Sequence, residues 1–180
     1  MPPKTDSFQR WAKGVHAYGR SLDLLREKEY WRKIDSVPVR RLPVQYDGVS
    51  PVAEVREDRL VFSVVETKMV QGISTNFRRS QHLLDLLLAA LAQAIYVWSG
   101  LENVAIMLEG HGRESIVEGV DVHRTTGWFT SVFPVILSVG HNQDRESLRD
   151  LIRENLDRLP HHGIGYGILK YITPPSMRKD

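Results

Sequence analysis

Asn103–Glu114 reads NVAIMLEGHGRE, an apolar run that ends on a carboxylate and then on two glycines flanking a histidine. The run Asn103–Leu108 is short, apolar and bounded by turn-forming residues, the pattern of a strand buried on both faces. Gly110 and Gly112 permit backbone angles that other residues resist, so the strand opens into a tight loop. Glu109 then lies at the mouth of the core, where partial burial raises a carboxylate pKa towards neutrality. A base poised near working pH suits removal of a proton next to a carbonyl. The competing reading is an ion pair of Glu109 with Arg113 or Arg124 that only holds the loop in shape.

Downstream, Arg124–Leu137 reads RTTGWFTSVFPVIL. Phe129–Val139 is a second apolar run, and Pro134 places it at a sheet edge or at an interrupted ladder. Trp128, Phe129 and Phe133 read as core residues around a bend at Gly127. Asp144 is positioned to cap a helix whose apolar face is Leu148, Leu151, Ile152, Leu156 and Leu159. Leu159–Ile172, LPHHGIGYGILKYI, carries Gly163, Gly165 and Gly167. That spacing points to close backbone packing or a loop beside a bound ligand, and it lacks the strand and glycine pattern of a dinucleotide site. His161 and His162 read as an exposed loop pair.

Upstream, two helices are expected. Ser7 or Asp6 caps the first, with Phe8, Trp11, Val15 and Tyr18 on one face, and Gly19 stops it. Ser21 caps the second, which carries Leu22, Leu25, Tyr30, Trp31 and Ile34. Residues 37–58 form an extended linker marked by Pro38, Pro43, Gly48 and Pro51. Arg59–Thr67 (RLVFSVVET) reads as a strand, and Lys68–Arg79 as a short helix broken near Gly72. Leu83–Trp98 is apolar nearly all round. It is shorter than the roughly 20 residues that cross a bilayer and carries Asp85 and Gln93, so it reads as a buried core helix. The mixed order of elements gives an α/β or α+β class, divided into a helical lead-in (1–36), a linker (37–58) and a lobe (59–180).

The bulk properties narrow the function. The chain has 180 residues, 42% hydrophobic and 26% charged, which suits a soluble protein with a real core. A net charge of +2 is too small to imply a nucleic-acid surface by itself, and the absence of cysteine removes disulfides and thiolate chemistry. No apolar signal core opens the chain, and a cytoplasmic setting is expected. His16, His82, His123 and His141 are scattered without metal-ligand spacing, so no metal site is expected.

Taken in order, EGHGRE (109–114), RTTGWFTSVFPV (124–135) and PHHGIGYG (160–167) resemble the motifs of epimerization domains from nonribosomal peptide synthetases. SFQRWAKGVHAYGR, LREKEYWRKI and DLLLAALAQAIYVWSG extend the resemblance over nearly the whole chain. It implies the C-terminal lobe of a chloramphenicol-acetyltransferase-like fold, in which two lobes meet at the active site. The implied reaction inverts Cα of an aminoacyl or peptidyl thioester held on the phosphopantetheine arm of a peptidyl carrier protein, with no cofactor bound directly. A thioester acidifies that proton because the enolate is delocalised; one group removes the proton and another returns it on the opposite face.

On this resemblance Glu109 matches the family's acid/base carboxylate and Arg124 an arginine tied to activity, with His111, Trp128 and Tyr166 on the substrate side. Two departures stand out. The family's His-His-x-x-x-Asp-Gly motif is absent, since His161-His162 has no Asp at the required place, and the later Asn-Tyr motif is absent too. The expected partners are therefore a first lobe or a second copy, besides the carrier protein, with no nucleic acid and no membrane, and little catalysis by the chain alone. Two alternatives remain: a noncatalytic docking lobe or remnant, and a condensation-domain half that forms peptide bonds, which GWFTS disfavours.

Overall fold

A computed structural model describes residues 4–43, 81–141 and 143–178, the side chains of Gln81 and His82 excepted. The expected strand Arg59–Thr67, the short helix 68–79 and most of the linker lie outside these residues. The chain divides into two compact units: residues 1–39, 103–138 and 154–180 form the first, and 40–102 with 139–153 the second.

The first unit opens with α1 (Phe8–Tyr18) and α2 (Leu22–Ser36). Both begin at serines whose side chains accept from backbone N–H groups of the first turn, Ser7 from Arg10 and Ser21 from Leu24. Next come the strands β1 (Asn103–Gly110) and β2 (Ser131–Ser138), an antiparallel pair with Leu108 opposite Phe133 and Glu109 opposite Val132. Pro134 stands opposite Met107. In a two-stranded ladder half of each strand's donors point outward, so a residue without N–H is tolerated there.

The expectation that β1 is buried on both faces is corrected. Val104 is buried whereas Ala105, Met107 and Glu109 are exposed, Met107 to 56%. Among the described residues β1 pairs with β2 alone, and an antiparallel pair packed on one side leaves its other face to solvent. Inward-facing Val104, Phe133, Val135 and Leu137 join Leu24, Trp31 and Ile168 in the buried set of this unit.

The unit closes on a tightly wound run: a turn at Pro160–Gly163, one α-helical turn at Ile164–Gly167, a π-type turn at Ile168–Ile172 and a short helix at Pro175–Arg178. His161 (φ 42, ψ 44) and His162 (φ 50, ψ 32) both adopt the left-handed conformation. Such a conformation costs a non-glycine residue about 1–2 kcal/mol. Both histidines are exposed, as expected of a loop pair, but one of them has a buried partner that the sequence did not signal. His161 Nδ1 lies 2.8 Å from the carboxylate of Glu27, which is buried (5% exposed). Trp31 Nε1 donates to the same carboxylate at 3.1 Å, and the Tyr18 hydroxyl at 3.4 Å.

The second unit holds α3 (Gln81–Ser99) and most of α4 (Arg145–Asp157), a helix that ends in the first unit. Leu88, Ala89, Ala92, Val139, Leu148 and Ile152 are its buried apolar residues. Asp85, also buried, accepts from Arg153 at 2.9 Å. The expected all-round burial of α3 is corrected: Leu84, Leu87, Leu91, Val97 and Trp98 are exposed, Val97 to 75%. Two helices bury only the sides that meet, and the described residues provide one such side. No described helix is long and apolar enough to cross a membrane.

Asp144 caps α4 by accepting from the Ser147 hydroxyl and from the backbone N–H groups of Glu146 and Ser147. The Ser147 bonds hold its carboxyl below the ordinary value of 3.8. A depressed carboxylate contributes stability that is present above the unfolded pKa and is lost as pH falls through the folded one. Asp144→Asn keeps a capping oxygen but does not titrate. The wild-type stability should therefore fall more steeply on acidification below about pH 4 than that of the variant. Parallel denaturation profiles would contradict this.

Candidate functional site

The strand end is built from alternation. With Val104, Ile106 and Leu108 turned towards the core, Glu109 must face outward, and it is exposed. The expected partial burial of Glu109 is corrected for that reason. Neither expected ion pair forms: among the described residues Glu109 has no hydrogen-bond or salt-bridge partner, and Arg113 is engaged elsewhere. Among the described residues the carboxylate is exposed and unpaired on a strand end.

The loop after it is held from three directions. Gly112 has φ +67, and a Cβ there would sit 1.6 Å from the Phe129 carbonyl oxygen, so the position admits glycine alone. Gly110 is constrained by neighbours rather than by φ: a Cβ would lie 2.8 Å from Ser131 Oγ and 3.3 Å from the Phe133 ring. Arg113 lays its guanidinium 3.9 Å over the Phe129 ring and donates to the carbonyls of Val122 and Thr125, the latter at 2.8 Å. This fixes the turn bearing Arg124, which is exposed and makes no hydrogen bond among the described residues.

His111 is held within the loop and also faces open space. Its Nδ1 accepts from the Arg113 backbone N–H at 2.9 Å, and its Nε2 lies 3.3 Å from Glu114 Oε1. That pattern requires the proton on Nε2. The ring nevertheless borders an open cleft with Arg113, Gly127, Trp128 and Thr130. Trp128 is not the core residue expected: it is 84% exposed, because β2 begins three residues later and Phe129 takes the inward position.

The N-terminal segment supports this second motif, a role the motifs did not signal. Asp6 donates its N–H to the Asp121 carbonyl at 2.7 Å, and its carboxylate accepts from Asp121 N–H at 2.9 Å. That backbone bond, more than Arg10, keeps the Asp6 carboxyl below its usual value. Phe8 and Trp11 meet the Phe129 ring edge-on, at 5.1 and 4.9 Å between centroids.

Glu109, His111, Arg124 and Trp128 thus belong to one strand end and the two loops beside it. Tyr166 does not join them. It lies against Trp31, ring centroids 5.2 Å apart, and accepts from Lys170 Nζ at 3.1 Å, in a separate cleft with Lys28, Asp35 and Leu169. That hydrogen bond raises the Lys170 pKa.

The candidate site is thus a strand end with an exposed carboxylate and a glycine-bound loop, beside the aromatic second motif. The condensation domain family matches residues 1–180, and the chain belongs to it. Its relatives are nonribosomal peptide synthetases. It is 39% identical over 180 residues to tyrocidine synthase 1 of Brevibacillus parabrevis, covering 99% of this chain and 16% of that protein. Over 183 residues it is 36% identical to gramicidin S synthase 1 of Brevibacillus brevis, covering 99% and 16% respectively. The solved epimerization domain from the third module of tyrocidine synthetase B matches with a TM-score of 0.81 at 34% identity, over 98% of this chain and 41% of that one. The chain is therefore a mixed α/β member of this family and spans a minor part of these relatives' length.

Two glycines separate strain from contact in this site. Gly119 also has φ +67 but open space around it. Gly119→Ala should cost about 1–2 kcal/mol from its backbone alone, and Gly112→Ala about 3 kcal/mol or more, because the Phe129 backbone must move as well. Equal losses in urea denaturation would refute the close approach at Gly112.

Proposed function

We propose that this chain supplies one acid/base, Glu109, to an epimerization site that inverts Cα of an aminoacyl or peptidyl thioester carried on phosphopantetheine. The observation that supports it most is the state of Glu109: an exposed carboxylate without a partner among the described residues, on a strand end whose following loop is fixed. An acid/base needs this combination of access and fixed geometry, because proton transfer requires close approach along a defined line. The 34% identity to a solved epimerization domain supports the choice of inversion over amide formation.

In this reading Glu109 takes or returns the α-proton on one face, and a group on the complementary lobe serves the other. Arg124, on the turn held by Arg113, lends positive charge towards the developing enolate oxygen. His111 and Trp128 line the approach of the acyl chain. No cofactor takes part, and the setting is the cytoplasm. A second reading, a noncatalytic docking lobe, draws support from the exposed apolar side chains of α3, Leu87, Val97 and Trp98 among them.

The test is deuterium wash-in at Cα of an aminoacyl thioester on a carrier protein, in heavy water, with this chain and a separately made complementary lobe. Exchange that needs both lobes and falls about 100-fold or more in Glu109→Gln is expected, the loss general acid–base catalysis carries. Equal exchange by the variant would remove Glu109 from the chemistry. No exchange in a folded two-lobe complex would leave the docking reading in front.

A further inference from the structure

Glu27 and His161 lie 134 positions apart in the chain and take no part in the proposed proton transfer, yet they are joined at 2.8 Å. The carboxylate accepts from Trp31, Tyr18 and His161, and a Cβ on Gly165 would come within 2.0 Å of its Oε2, so the surrounding backbone closes upon it. A buried carboxylate without its donors is costly, which makes this junction stiff. His161 and the next residue, His162, both have left-handed backbones. A left-handed backbone is unfavourable for a residue with a Cβ, and a hydrogen bond to a charged group is among the stronger contacts that can offset such a cost.

The turn reaches the strand bearing Glu109. Gly163, at φ +85, lies so close to Phe133 that a Cβ would be 2.3 Å from its ring, and Phe133 is the register partner of Leu108. The His162 carbonyl oxygen is 3.6 Å from where a Cβ on Gly110 would stand. A continuous path of contacts therefore runs from Glu27 through His161, His162 and Gly163 to Leu108 and Gly110, the neighbours of Glu109 on either side.

We infer that the Glu27–His161 pair is a positioning device that sets the strand end carrying Glu109. The inference rests on the reading of Glu109 as the acid/base, but its contact path is testable without activity. The variants are Glu27→Gln and His161→Gly; the second deletes the tether while allowing the left-handed backbone at no steric cost, so it keeps the fold accessible.

In ¹H–¹⁵N spectra of the chain, both variants should shift the amide resonances of Glu109, Gly110 and Gly112 and leave those of the Glu146–Ser147 cap in place. In the two-lobe wash-in assay, kcat should fall about 10- to 100-fold with KM unchanged, and the double variant should be no worse than the single ones. Unmoved 109–112 resonances in folded variants would overturn the inference, as would an unchanged kcat where the wild type is active. If the resonances move but the wild type shows no exchange, the positioning path stands and the acid/base reading of Glu109 falls.

Discussion

The first unit depends on one buried charge. Glu27 lies on α2, almost out of solvent, and a carboxylate in that place must be met by donors or it destabilises the fold. The donors come from separate parts of the chain: Tyr18 from the end of α1, Trp31 from the next turn of α2, and His161 from the turn that opens the wound C-terminal run. Burial, and then the charge of Glu27, raises the Tyr18 pKa, so its hydroxyl stays protonated as a donor at all physiological pH values. The same crowding explains why residue 165 is glycine. Satisfying one polar group thus brings α1, α2 and the C-terminal run into a common arrangement.

The proposed reaction site uses a different device. Alternation along β1 turns Glu109 outward, and the loop behind it is locked by the Gly112 backbone and by the Arg113 bonds to the Val122 and Thr125 carbonyls. The N-terminal segment adds a second clamp through Asp6 and the Phe8–Trp11–Phe129 aromatic group. Accessible carboxylate and rigid surroundings arise together because the constraints act on the loop and leave the side chain free.

Local chemistry was legible in the sequence, and long-range pairing was not. Ser7, Ser21 and Asp144 announced their helices because a cap and its partners lie within three residues. The two strands and their order could also be read, but not which of their faces is solvated, since an apolar run looks alike whether one side or both are covered. Trp128 read as core by its size alone. Glu27 sits in LREKEYW among charges that look like a solvated helix face, and nothing near it in sequence points to His161. Left-handed angles at two histidines had no sequence signal either, because glycine is the usual mark of that conformation. The EGHGRE and GWFTS segments marked the candidate site through family resemblance, whereas their residue chemistry alone left both an ion pair and a base open.

The most direct measurement of the account is the configuration of the acyl group recovered from the carrier protein after incubation with this chain and a complementary lobe. The account predicts that either pure enantiomer of the bound aminoacyl group gives the same mixture of both, with no new amide bond. Retained configuration, or an amide product with an unchanged Cα, would contradict it.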